Sequence, residues 1–213
     1  MEKVELAPIV LFAYARPEHT LRTLQALAAN TLASQSRLYI YVDGVKKGAS
    51  DDVVKRNAEV REVVGSKQWC GEVVDREQTE NKGLAASIRD GVTDVLLQNG
   101  KVIVVEDDLV TSPAFLSYMN KALDFYALYP AVFSIGAYSY PAQRMAIPDD
   151  YDFDTYACLR NCSWGWATWS DRWNKTDWSA SHYDYMKSHP AVKEAFNRMG
   201  DDEFEMFQSQ QER

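Results

Sequence analysis

Short apolar runs alternate with longer amphipathic segments over residues 1–136 of the chain. The runs are typical of strands buried on both faces, and they occupy residues 9–15, 38–42, 72–75, 102–105 and 132–136. The run at 72–75 is the least apolar of the five. Between them lie four segments whose apolar residues recur at helical spacing. This alternation predicts an α/β fold with a mostly parallel sheet and helices on both faces.

Residues at the ends of the amphipathic segments indicate where the helices begin and end. The predicted starts carry residues that commonly cap or open helices: Pro17, Ser50 or Asp51, Asn81, and Ser112 with Pro113. Gly100 is suited to end the third helix, and Pro130 marks the end of the fourth. Each strand is therefore followed by a helix that returns the chain to the sheet.

The pattern changes beyond about residue 138. Prolines, tyrosines and a segment with four tryptophans at 161–173 follow without a clean periodicity, so we expect an irregular, aromatic-rich C-terminal region. Residues 199–208 predict the start of an acidic helix. We expect residues 1–213 to form a single domain whose natural chain continues beyond Arg213.

The composition excludes some classes of protein. With 213 residues, 46% of them hydrophobic and 25% charged, the chain can bury a substantial core. The formal net charge of -8 argues against a nucleic-acid binder or a protein of anionic membranes, because both use basic surfaces. An anionic ligand would therefore need a positive partner such as a metal ion.

Three cysteines without a disulfide framework favour a reducing compartment. No run of about 18 apolar residues and no signal-peptide pattern occurs. We therefore predict a cytoplasmic protein without a transmembrane segment, and peripheral contact with a membrane stays open.

The acidic triplet Glu106-Asp107-Asp108 follows the fourth apolar run directly. Three adjacent carboxylates repel one another, and a hard divalent cation such as Mg²⁺ or Mn²⁺ would relieve the repulsion. Open α/β sheets bind ligands at the carboxyl ends of their strands, which favours a functional role over a solvated acidic turn. Asp43 ends the second run in the same way, although Asp43-Gly44 is also an ordinary turn dipeptide.

Five motifs in order resemble the GT-A glycosyltransferases, and most nearly the inverting N-acetylglucosaminyltransferase I type. They are the turn at 13–17, Asp43-Gly44, the Asn-Lys-Gly-Leu sequence at 81–84, the Glu-Asp-Asp triplet within 104–109, and the helix start at 112–116. The resemblance covers roughly residues 8–173. It implies a nucleotide-sugar-binding half at 1–137 and an acceptor-side half at 138–213.

The resemblance also implies roles for individual residues on the donor side. Asp108 would bind the metal, and Glu106 and Asp107 would hold the ribose and diphosphate region. The remaining donor-binding residues would be Asp43 at the base, Ala13, Tyr14 and Arg16 along the nucleoside, and Lys82 at a phosphate. Structural alternatives exist, because Arg16 could instead pair with Glu18 or another neighbour, and Lys82 could lie on a solvated helix end.

Glycosyl transfer also needs a carboxylate base and a surface for the acceptor. By resemblance the base lies after the aromatic segment, where Asp202 is the first candidate, followed by Asp201 and Glu205. Asp171 is a weaker candidate, since it could form an ion pair with Arg172. Trp164, Gly165 and Trp166 would form the acceptor-binding loop, although tryptophans at helix-like spacing could equally belong to the core.

These expectations define a metal-dependent inverting hexosyl- or N-acetylhexosaminyltransferase. It would move a sugar from a nucleotide-diphosphate donor, with a UDP-sugar favoured, to a saccharide or glycan acceptor, and it would use Mn²⁺ or Mg²⁺. One alternative is a non-catalytic nucleotide- or carbohydrate-binding module. A second is a sugar nucleotidyltransferase, which the absence of a glycine at 14–18 disfavours. A haloacid-type phosphatase fits the triplet poorly.

Overall fold

The computed structural model describes residues 5–141, 143 and 145–212, and for Met199 it describes the backbone alone. The chain divides into two compact units. The first runs up to Tyr138 and also includes Cys162–Asn174, and the second consists of Ser139–Asn161 and the chain from Lys175 onward. Whether the functional halves divide at residue 137 stays a prediction.

The first unit contains a six-stranded sheet with the order β3-β2-β1-β4-β6-β5. Its strands are β1 (Ile9–Ala13), β2 (Arg37–Val42), β3 (Glu72–Asp75), β4 (Lys101–Glu106), β5 (Ile135–Gly136) and β6 (Trp166–Trp169). Strands β3, β2, β1 and β4 are parallel, while β6 runs antiparallel to both β4 and β5. The predicted mostly parallel sheet is confirmed.

Helices cover both faces of this sheet, as the alternation of apolar runs and amphipathic segments predicted. They are α1 (Pro17–Ala28), α2 (Asp51–Gly65), α3 (Leu84–Asn99), α4 (Phe115–Phe125) and the short α5 (Ser170–Trp173). Ile9 and Leu11 of β1 share a core with α1, α2 and α4. Val10 and Phe12 point to the opposite face and share a second core with α3 and α5. Because β1 is buried on both faces, its sequence is apolar throughout.

Helix boundaries agree closely with the sequence at three of the six predicted positions. Pro17 opens α1, Ser50 accepts a hydrogen bond at the start of α2, and Gly100 ends α3 in a left-handed conformation with φ 71°. The other two helices begin later than predicted. Gly83 precedes α3 because the side chain of Asn81 is used elsewhere, and a turn delays the start of α4 to Phe115.

The aromatic segment is more regular than its pattern indicated. It forms β6 and α5, in which Trp166, Trp169 and Trp173 are all buried. A four-residue strand buried on both sides has no polar face, so no alternation marks it in the sequence. The predicted strand at 132–136 is reduced to Ile135–Gly136, which pairs with β6.

The second unit is mainly helical. It contains α6 (Tyr183–Ser188), α7 (Pro190–Phe196), a 3-10 turn (Asn197–Met199) and α8 (Glu203–Gln211), which is the predicted acidic helix. Phe204 of α8 is buried and meets Phe196 edge to face. Throughout the described part of the chain, no helix has both the length and the apolar character needed to span a membrane.

Candidate functional site

The C-terminal ends of β1, β2 and β4 lie side by side. Ala13 at the end of β1 is in register with Val42 of β2, and Phe12 is in register with Glu106 of β4. Because these strands are parallel, the residues that follow them emerge at the same edge of the sheet. The turn after β1, Asp43 and the acidic triplet are therefore brought together, as the sequence predicted.

A cavity of about 520 Å³ lies among these residues. Six predicted site residues line it, namely Ala13, Tyr14, Arg16, Asp43, Glu106 and Asp107. Other lining residues were not predicted as site residues, among them Phe12, Tyr41, Lys46, Arg56, Leu84 and Ser87. The cavity thus combines aromatic, cationic and acidic side chains, which suits a ligand with a planar ring and a charged group.

Arg16 forms ion pairs with two carboxylates of the triplet. Its guanidinium donates one hydrogen bond to Oδ1 of Asp107 and another, 3.0 Å long, to Oδ2 of Asp108. The Asp107 side chain is only 4% exposed, whereas that of Asp108 is 41% exposed. Arg16 therefore pairs with neighbouring carboxylates, as one of the alternatives proposed, and its partners are Asp107 and Asp108 rather than Glu18.

The triplet remains electrostatically strained even with Arg16 beside it. Burial raises the pKa of Glu106 above its ordinary value, and repulsion from Asp108 and Asp107 adds to the rise. Burial also raises the pKa of Asp107, although its hydrogen bond with Arg16 opposes the shift. Further positive charge at this position would stabilise the ionised carboxylates.

The donor atoms of the triplet suit a hard divalent cation, because carboxylate oxygens are the ligands that Mg²⁺ and Mn²⁺ prefer. In the described part of the chain, no group of three or more His, Cys, Asp or Glu side chains is arranged to hold a metal by itself. Mg²⁺ is often bound by one or two carboxylates together with substrate phosphates. The exposed carboxylate of Asp108 fits this mode of binding, in which the ligand completes the site.

Asp43 is a structural centre of the site as well as part of the cavity wall. Its carboxylate, in a residue 7% exposed, accepts hydrogen bonds from the backbone N–H groups of Gly44, Lys82 and Gly83 and from the side chain of Asn81. All four donor–acceptor distances are 2.9 or 3.0 Å. Asp43 thereby fixes the turn that leads into α3, and its contact with a base stays a prediction.

Two neighbours reinforce this arrangement. Buried Asn57 of α2 donates from Nδ2 to the carbonyl oxygens of Tyr14 and Asp43, at 2.6 and 3.0 Å, and so joins the loops after β1 and β2. A Cβ on Gly44 would lie 2.4 Å from the backbone of Glu80, so this position needs glycine for the close approach of the two chains. Asn57 was missed in the sequence as a site-forming residue, whereas Gly44 belongs to one of the five motifs.

The cationic residues around the cavity differ from the predicted one. The ammonium group of Lys82 lies 3.1 Å from Asp90 rather than at the cavity. Lys46 and Arg56 line the cavity instead, and Arg56 also pairs with Asp52 at 2.5 Å. Their position shortly after the Asp43-Gly44 motif was the signal available in the sequence.

The predicted acceptor loop has one exposed and one buried tryptophan. Trp164 is 52% exposed and meets Tyr138 edge to face, with ring centroids 4.5 Å apart. Trp166 is buried and stacks on Trp173 at 5.8 Å, while Gly165 between them adopts φ 78°. Trp164 is therefore partly accessible, whereas Trp166 belongs to the core.

The candidate bases Asp201, Asp202 and Glu205 are exposed residues of the second unit. Asp202 forms an ion pair with Arg160 at 2.7 Å, and this hydrogen bond lowers the pKa of Asp202. In the first unit, Asp171 pairs with Arg172 at 2.8 Å, which is the structural alternative weighed for it.

No protein-family model and no curated protein sequence matches the chain. Among solved structures, the chain is similar to the mannosyltransferase PcManGT from Pyrobaculum calidifontis, in complex with GDP-Man and Mn²⁺, with a TM-score of 0.44 and 13% identity. This similarity covers 66% of the chain and 40% of the mannosyltransferase. For TarS from S. aureus the TM-score is 0.39 at 13% identity, with 57% of the chain and 20% of TarS covered. The chain thus spans less than half the length of either structure.

Proposed function

We propose that this chain is the donor-binding and catalytic part of a glycosyltransferase that uses a nucleotide-diphosphate sugar, with a UDP-sugar favoured. The observation that carries the proposal is the cavity at the ends of β1, β2 and β4, where an aromatic wall meets Glu106 and Asp107 of the acidic triplet. The motif order that resembles the GT-A enzymes supports the same assignment.

The cavity residues divide between the parts of such a donor. Phe12, Tyr41 and Leu84 offer ring and aliphatic surface to a base. Arg16 uses two of its five N–H donors on Asp107 and Asp108 and would offer others to an anionic group. Asp108 would hold Mn²⁺ or Mg²⁺ jointly with the diphosphate. A bound cation of this kind neutralises charge on the departing nucleoside diphosphate.

An inverting transfer, as in the N-acetylglucosaminyltransferase I type, additionally needs a carboxylate to remove a proton from the acceptor hydroxyl. Asp202, Asp201 and Glu205 are the proposed candidates. The ion pair with Arg160 makes the Asp202 carboxylate less available to accept a proton, so Asp201 and Glu205 remain candidates beside it. Trp164, Gly165 and Trp166 are the proposed surface for a saccharide or glycan acceptor.

A non-catalytic nucleotide-binding module is the second candidate. The ion pair of Asp202 with Arg160 favours it, because a carboxylate held in a salt bridge is less available to accept a proton. Slow hydrolysis of UDP-sugars, or transfer to any saccharide, would distinguish the enzyme from the module.

The proposal is tested by the affinity for UDP with Mn²⁺, measured by isothermal titration calorimetry. We expect Asp108→Ala to weaken binding at least about 10-fold, because the cation loses its protein ligand. Glu62→Gln is the matched control, since it removes one carboxylate from an exposed face of α2. If Asp108→Ala binds UDP as tightly as the wild type, the assignment of the metal site is wrong. If the wild type binds no nucleoside diphosphate, the proposed function is wrong.

A further inference from the structure

The hydroxyl group of Ser87 is buried in the cavity wall without a hydrogen-bond partner. Ser87 lies on the first turn of α3 and is 3% exposed, and its backbone N–H donates to Gly83. Its Oγ is one of four buried side-chain polar atoms in the described residues that have no partner. Burying such a group without a partner costs free energy, so each case calls for an explanation.

Ser87 differs from the other three residues in its position. Thr23, Gln78 and Arg172 do not contribute to the wall of the cavity as described, whereas Ser87 does. Of these four residues, only Ser87 therefore borders the space that a ligand in the cavity would occupy. Thr23 is fully buried on α1, so its hydroxyl provides an internal comparison.

The surroundings of Ser87 indicate which part of a ligand it would meet. Gly91 lies one helical turn later on α3, and a Cβ there would lie 2.8 Å from the Phe12 ring and 3.2 Å from the Tyr41 ring. These two rings are stacked with centroids 5.4 Å apart, and both line the cavity together with Leu84. Ser87 therefore lies beside an aromatic and aliphatic wall, which suits a planar base better than a phosphate.

The other polar groups at this wall are already engaged. The Tyr41 hydroxyl donates to Asp94 at 3.0 Å, and the Asp43 carboxylate accepts its four hydrogen bonds from the turn before α3. The hydroxyl of Ser87 keeps both a proton to donate and lone pairs to accept with. It is thus able to pair with either kind of group on the edge of a base.

We propose that Ser87 is a specificity residue for the nucleoside of the donor, with its Oγ hydrogen-bonded to the base and the base lying against Phe12, Tyr41 and Leu84. This inference rests on the proposed function, because it requires a nucleotide in the cavity. It adds a residue of α3 to the site, outside the motifs that the sequence indicated.

The test compares Ser87→Ala with Thr23→Val, each of which removes one buried, unpaired hydroxyl. The probe is UDP or GDP, whichever binds the wild-type chain more tightly in Mn²⁺, followed by competition with the free nucleoside and with inorganic diphosphate. We expect Ser87→Ala to weaken binding of the nucleotide and of the nucleoside about 3- to 10-fold, the usual effect of one hydrogen bond. In Ser87→Ala, inorganic diphosphate should compete as well as it does in the wild type, and the folding stability should not decrease. Thr23→Val should bind the nucleotide and the nucleoside as tightly as the wild type does.

Ser87→Cys provides a second variant, because it nearly keeps the side-chain volume but donates and accepts hydrogen bonds only weakly. It should weaken nucleoside binding in the same direction. Unchanged affinity in Ser87→Ala would overturn the inference and leave the proposed function standing. A loss confined to diphosphate competition, or an equal loss in Thr23→Val, would also overturn it. A wild-type chain that binds neither nucleotide would overturn both proposals.

Discussion

Replacing Asp43 by asparagine should destabilise the fold and loosen the turn before α3. The carboxylate of Asp43 accepts four hydrogen bonds from Asn81, Gly44, Lys82 and Gly83. An amide has one oxygen, which can keep two of these bonds, while its NH₂ group would face the two remaining donors. Each hydrogen bond to a charged group contributes about 1.5–3 kcal/mol, so the loss of two sets the upper limit of the destabilisation. Relaxation of the turn around position 43 would make the actual loss smaller. We expect the free energy of unfolding to fall by about 2–4 kcal/mol.

Urea denaturation followed by tryptophan fluorescence measures this change, and hydrogen exchange of the Lys82 and Gly83 amides locates it. Both amides should exchange faster in Asp43→Asn than in the wild type. Asp90→Asn is the control, because the Asp90 side chain is 42% exposed and its pairs with Lys82 and Arg89 should contribute less than about 1 kcal/mol. A stability within about 1 kcal/mol of wild type, with unchanged protection of both amides, would refute the structural role of Asp43.

Two further predictions concern an ion pair and a thiol. Arg16→Met should lower the free energy of unfolding by about 1–3 kcal/mol, because it leaves the buried Asp107 carboxylate without its cation, and urea denaturation measures the change. Arg37→Met is the matched control, since Arg37 is equally exposed but pairs with exposed Glu72, and its loss should cost under about 1 kcal/mol; equal effects would contradict the burial argument. Burial raises the pKa of the Cys70 thiol to about 11 from an ordinary 9.0, so this thiol stays protonated in the folded chain at pH 8. Iodoacetamide at pH 8 should therefore label exposed Cys158 well before Cys70, as peptide mass spectrometry would show, and the contribution of Cys70 to stability should be lost as pH rises from 9 through 11. Equal labelling of both cysteines would contradict this prediction.

The clustering of Arg16, Asp43 and the acidic triplet could be predicted from the sequence because these residues follow strands that are easy to recognise. β1 is apolar throughout, the interiors of β2 and β4 are largely apolar, and parallel strands bring their C-terminal ends to one edge. The positions of Arg16, Asp43 and the triplet follow from those two facts. The ion-pair partners of Arg16 could not be predicted from the sequence, because the choice between Glu18 and Asp107 depends on the geometry of the turn after β1.

The missed residues give weaker signals. Ser87, Gly91 and Val95 lie on one stripe of α3 at a spacing of four, so a hydroxyl on a buried face was the available sign of Ser87. β6 could not be recognised, because its four residues are buried on both faces and its partner β4 lies far away in the sequence. The C-terminal carboxylates lack any comparable strand to define their position.

The antiparallel pairing of β5 with β6 bears on how proteins of this kind could diversify. Gly136 is in register with Trp166, so the long connection at 137–165 leaves the sheet and returns to it at neighbouring points. Loop-closure entropy grows only slowly with length, and such a connection can be lengthened, shortened or exchanged while β4 keeps its partner strand. If the proposed function holds, a new acceptor preference could arise in this segment by insertion or recombination without a change in any residue that lines the donor cavity.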